Sequence, residues 1–167
     1  MALIADLVAD QSGRSEAFTV GLLHDVGCMA MAVAEAARYQ RVSHLVRAGV
    51  NELDAERIMF GHDHAYYSQL VVEHWGLDTS IAEAVGDHHG GTANVAARII
   101  VRARRIAAGA EIGDGRGMRL PSDPLGMADR AIIASMNGAA GLAAQINGMR
   151  EAIGAGSRDR ASSAVQA

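Results

Sequence analysis

The chain has 167 residues, half of them hydrophobic, which is enough for one packed domain with a tail. A formal charge of -4 excludes a general attraction to nucleic acid or to an anionic membrane surface. A single cysteine, Cys28, excludes an intrachain disulfide and a cysteine-based zinc cluster.

Aromatic residues make up only 4% of the chain, so the core must be built from Ala, Val, Leu, Ile and Met. Ala, Leu and Met are good helix formers, and the apolar pattern is helical almost throughout. Residues 1–9 read as a helix, followed by a turn at Gln11, Ser12 and Gly13 and a short helix over 16–23. Residues 28–39 form a helix rich in Ala and Met, which 40–48 continue or bend before Gly49. A short helix over 53–60 closes at Gly61. His62 or Asp63 opens the next, which runs to Trp75 and stops at Gly76. Asp78 is placed to cap a helix over 79–88, because its carboxylate can accept an orphan backbone N–H. Residues 92–108 carry the longest uninterrupted pattern. Residues 109–124, with both prolines and a cluster of glycines, form the main loop. Helices over 128–136 and 139–153 complete one all-α domain, residues 1–153. Residues 154–167 lack periodicity and are expected to be a disordered tail. No apolar run reaches the length of a membrane span, and no signal peptide opens the chain, so the expected location is the cytoplasm.

Five of the seven histidines lie between His62 and His89, and another stands beside an acid at His24-Asp25. Imidazoles and carboxylates are the usual ligands of hydrolytic transition-metal sites. Neighbouring helical residues diverge by roughly 100°, so His24 and Asp25 can share one ion only if other helices bring further ligands. The plainer reading is that the pair ends a helix and satisfies itself or the backbone. His44, His62 and His74 read as surface or capping residues. Arg98, Arg102 and Arg105 share a helix face that is solvated or paired within the chain. Trp75, Cys28, Met29 and Met31 read as core.

The string GLLHDVG, residues 21–27, resembles the defining motif of the HD superfamily of metal-dependent phosphohydrolases. FGHDHAYYSQLVVEHWGL, residues 60–77, and IAEAVGDHHG, residues 81–90, follow in order. The set resembles the HDOD branch, which is related to the HD-GYP cyclic-dinucleotide phosphodiesterases. The resemblance implies an HD-domain-like helical bundle and a candidate metal site at His24, Asp25, His64, His88 and His89.

It also implies that this site is incomplete. The HD pattern has a histidine on a helix upstream of the His-Asp pair; none precedes His24, so an N-terminal part of the domain is expected to be missing. A late aspartate falls at Arg104, and residues 99–106 contain no acid. A guanidinium 4 Å from a divalent ion repels it by about 8 kcal/mol at an effective dielectric of ~20. Cys28 stands where active HD-GYP enzymes carry a lysine, and no Gly-Tyr-Pro follows His89. The expected function is a non-catalytic signalling or regulatory domain with no cofactor. Its partners by resemblance are receiver domains or cyclic-dinucleotide enzymes, and a homodimer is compatible with the reading. The alternative is a metal-dependent phosphohydrolase holding Mn, Fe, Ni or Zn on the five candidate residues.

Overall fold

The computed structural model describes residues 1–90, 94–110, 112, 125–138, 140–142, 144, 145 and 148. Among them are nine α-helices and no strand, which is the all-α architecture expected from the helical period. They are α1 (Ala2–Val8), α2 (Arg14–Leu23), α3 (Val26–Ala34), α4 (Ala36–Arg47), α5 (Glu52–Phe60), α6 (His64–His74), α7 (Thr79–Gly86), α8 (Val95–Gly109) and α9 (Met127–Ser135).

Helix α8 is the spine. Asn94 caps it by accepting from the amides of Ala96 and Ala97. It buries Ala96, Ala97, Ile100, Ala103, Arg104, Ile106 and Ala107, an i, i+3, i+4 stripe set against α1, α2, α7 and α9. Ile4, Ala5, Ala17, Val20 and Val85 from the neighbouring helices pack into the same core. Small residues dominate it, so the helices approach closely. A Cβ on Gly21 would stand 2.8 Å from Ala2 Cα, and only glycine lets α2 cross α1 there.

A second crossing positions the site. Gly27 of α3 lies against the backbone of α6 at His64 and Ser68, and its amide donates to Ser68 Oγ at 2.8 Å. Beyond α3, an α4–α5 hairpin turns at Gly49, where φ is +95°. Asn51 caps α5, and Gly61 ends it in the left-handed region. Tyr39, Phe60, Tyr67 and Tyr66 gather with His62 into an aromatic cluster outside the main core.

Several boundaries differ from the sequence reading. Glu35 adopts φ −141°, ψ 67° and divides the expected 28–39 helix into α3 and α4. Asp63 caps α6 through its side chain, whereas Asp78 precedes α7 without a side-chain cap bond. Helix α7 stops at Gly86, which leaves His88 and His89 in the turn that follows. Trp75 is 55% exposed rather than core, because α6 runs past its last buried residue, Val72. Met31 is core but Met29 is 68% exposed; two residues apart on a helix, they point about 200° from each other. The expected loop over 109–124 and the tail over 154–167 lie, apart from residues 109, 110 and 112, outside the described residues, as does most of the expected 139–153 helix.

One stretch, Arg14–Ala34, is long and apolar enough to cross a membrane by length and composition alone. It is interrupted by Arg14, Glu16, His24 and Asp25. In the fold it comprises α2 and α3, parted at His24-Asp25, and it buries Ala17, Val20, Cys28 and Met31 in the bundle.

Candidate metal centre

The five sequence candidates come from three places in the chain and meet at one point. His24 is the C-cap of α2, Asp25 the N-cap of α3, His64 the first residue of α6, and His88-His89 the turn after α7. His24, His64 and His88 are buried; Asp25 and His89 are partly buried. The close α3–α6 crossing at Gly27 brings Asp25 to His64, and the α6–α7 packing brings His88 and His89 to both.

The Asp25 carboxylate is the hub. His24 Nε2 lies 3.2 Å from its Oδ2, and the Nε2 atoms of His64 and His88 lie 3.4 and 3.7 Å from its Oδ1. Each of the three rings is fixed from behind by its other nitrogen. His24 Nδ1 contacts Gly21 O at 3.0 Å, His88 Nδ1 contacts Val85 O at 2.6 Å, and His64 Nδ1 contacts Glu56 Oε2 at 2.7 Å. Carbonyl and carboxylate oxygens only accept, so Nδ1 is the donor in all three rings. In the neutral rings the Nε2 lone pairs then converge on a carboxylate. This is the outer-shell arrangement that orients metal-binding histidines. His88 Nε2 is buried without a hydrogen-bond partner among the described residues. Lone pairs turned toward a carboxylate call for positive charge, either protons or a cation.

Arg104 supplies such a charge on the other side. It is 9% exposed, and its Nη1 donates to His89 Nδ1 at 2.6 Å. His89 Nε2 lies 2.7 Å from His64 Nε2. With Nδ1 accepting from Arg104, the His89 proton sits on Nε2 and is given to His64, whose own Nδ1–H goes to Glu56. One directed chain therefore runs from Arg104 through His89 and His64 to Glu56. Protonation of His64 would turn its Nε2 into a donor toward Asp25 and break the His89 contact.

Glu56 is the functional residue that the sequence reading missed. It is fully buried on α5, accepts the backbone N–H of His64 at 2.8 Å as well as its ring N–H, and lies 4.0 Å from Cys28 Sγ. Burial opposes the charged form of His64 and Asp25, Cys28 and Glu56 favour it, but the 2.7 Å contact from the His89 Nε2–H needs a bare Nε2 on His64, so the chain from Arg104 holds this ring neutral. Burial, reinforced by His24, holds His88 down to about 3. Burial, His88 and Arg104 depress His89 further.

The ligand nitrogens of His64, His88 and His89 all lie within 4.8 Å of one another, as do the ligand atoms of Asp25, Cys28 and His64. Taken without Arg104, this His/Asp cluster could hold a metal ion. With Arg104 in place, the chain itself supplies a cation to the same group of imidazoles. His44, His62 and His74 are exposed and outside the cluster, as expected, and His62 stacks on Tyr66 with centroids 4.0 Å apart. Arg102 pairs with Asp129 at 2.7 Å, which matches the reading of its face as paired within the chain.

Comparison with known proteins gives a family and a fold neighbour. A profile of the HDOD domain matches residues 1–90. No curated protein matches the sequence. The fold is similar to the crystal structure of a protein from Shewanella amazonensis SB2B that carries a provisional phosphohydrolase name. The TM-score is 0.64 at 22% identity, over 81% of this chain and 56% of that one. This chain thus spans little more than half the length of that protein, and the likeness at this identity is one of fold.

Proposed function

The chain belongs to the HDOD domain family, and from that premise we propose that it is a non-catalytic signalling or regulatory domain with a degenerate HD metal site. The observation that carries this reading is the buried guanidinium of Arg104, 2.6 Å from His89 Nδ1. A hydrolytic centre needs a cation held in an open geometry with a coordination position free for water. Here a fixed side-chain cation occupies one of the imidazoles that would serve that purpose, and it repels a divalent ion brought to the others. The domain works in the cytoplasm through protein partners of the receiver or cyclic-dinucleotide-enzyme kind, alone or as a homodimer. The test is an assay of the purified chain on cyclic dinucleotides and nucleoside phosphates, with and without Mn²⁺. The expected result is no turnover above that of an Asp25→Ala control. Turnover that disappears in Asp25→Ala overturns the reading.

A second reading, a metal-dependent phosphohydrolase, is favoured by the convergence of three Nε2 atoms on Asp25 and by the unpartnered His88 Nε2. In that case His24, Asp25, His64, His88 and His89 would hold the ion. The ion would supply an acidified water and a grip on a phosphate oxygen. Glu56 and the carbonyls of Gly21 and Val85 would keep the rings oriented.

A further inference from the structure

We propose that the Arg104 guanidinium and a divalent cation are alternative, mutually exclusive occupants of the histidine cluster, and that Glu56 balances the guanidinium through His89 and His64. The proposal rests on the non-catalytic reading and says what replaces the metal in it.

Glu56 is fully buried, and a carboxylate taken out of water needs a positive partner or a dense set of donors. Its Oε2 has two donors, both from His64, at 2.7 and 2.8 Å. Behind His64 stands His89 at 2.7 Å, and behind His89 stands Arg104 at 2.6 Å. The chain of bonds thus begins at a cation on α8 and ends at an anion on α5, with two imidazoles passing the polarisation between them. Asp25 adds a second carboxylate, within 3.4 Å of His64 and 3.7 Å of His88. Removing the guanidinium leaves this group of carboxylates and imidazole lone pairs short of one positive charge. The imidazole and carboxylate donors that remain are those that divalent transition ions prefer. A divalent ion and the Arg104 guanidinium are alternative sources of the positive charge that this group of side chains needs.

The experiment compares thermal melting of the wild type, Arg104→Met, and the Arg104→Met, Glu56→Gln double variant, each in EDTA and in Zn²⁺ or Mn²⁺. The wild type is expected to melt at the same temperature in all three. Arg104→Met should melt roughly 5–15 °C lower in EDTA, as for a buried charge left without its partner. It should recover part of that loss with added metal, rising with the logarithm of metal concentration. The recovery should vanish when Asp25→Ala is added, which separates the cluster from stray binding to exposed histidines. In EDTA the double variant should melt above Arg104→Met, since the carboxylate left unbalanced is gone. If Arg104→Met does not fold in EDTA, a folded double variant supports the proposal and an unfolded one overturns it. A wild type that gains as much from metal as Arg104→Met, or an Arg104→Met that gains nothing, also overturns it. Neither result requires turnover, whereas the non-catalytic reading fails only on turnover by the wild type that depends on Asp25.

Discussion

The amide of Gly27 donates to the hydroxyl of Ser68 at 2.8 Å, and this contact between α3 and α6 sets how closely Asp25 and His64 stand. Gly27 has no room for a Cβ, because the backbone of α6 occupies that volume. Gly27→Ala is expected to force the helices apart and cost about 3 kcal/mol, read as a lower denaturant midpoint. Ser68→Ala leaves the Gly27 N–H buried without its acceptor and should cost about 1–2 kcal/mol. A Gly27→Ala chain as stable as the wild type would mean that the crossing is looser than described.

Acid should destabilise the fold partly through His88. Its folded pKa is pushed down to about 3 by burial and by His24, while an unfolded histidine titrates near 6.5. The unfolded chain therefore binds the proton first as pH falls below 6.5. The stability attached to neutral His88 is present above 6.5 and is lost toward pH 3, at about 1.4 kcal/mol per pH unit. Asp25, His24, His64 and His89 all face this ring. The check is chemical denaturation at several pH values between 6.5 and 4. His88→Asn should show a shallower fall than the wild type, whatever its stability at pH 7. Identical slopes would remove His88 from the acid response.

Trp75 is the sole tryptophan and is 55% exposed. Its fluorescence should be that of a hydrated indole and should be quenched by iodide in the native state. Trp75→Ala should cost under about 1 kcal/mol, against the roughly 3–5 kcal/mol of a buried tryptophan. A blue-shifted, unquenched emission would place it under another surface, such as a second copy of the chain.

Helix α8 contributes more core residues than any other of the nine described helices, and Asn94 starts it with two side-chain bonds to Ala96 and Ala97. Asn94→Ala should lower stability by about 1 kcal/mol, while Asn94→Asp or Asn94→Ser should restore most of it. Equal losses in all three variants would trace the effect instead to the Asn94 contact with Ser80 O.

Helix period, small-residue composition and cap residues determined the all-α architecture by themselves, because those signals are local. The Asn51 and Gly61 ends of α5 and the Asp63 start of α6 are written in residues next to the helices they bound. His24-Asp25, His64 and His88-His89 were legible through resemblance: the ordered motifs over 21–27, 60–77 and 81–90 carry them, whereas histidine spacing alone does not separate them from His62 and His74. Glu56 was not legible. It sits in an ordinary amphipathic helix beside Glu52 and Asp54, and nothing local separates the one acid that is buried from those that are not. The absence of an acid near residue 104 could be read in the sequence, but the use made of the arginine there could not. Only the packing of α8 turns Arg104 inward onto His89, and only the α3–α6 crossing puts His64 between that pair and Glu56. Met29 and Trp75 show the same limit from the apolar side. Composition marks a side chain as fit for a core, but which face of a helix meets another, and where the bundle ends, is decided by contacts between residues far apart in the chain.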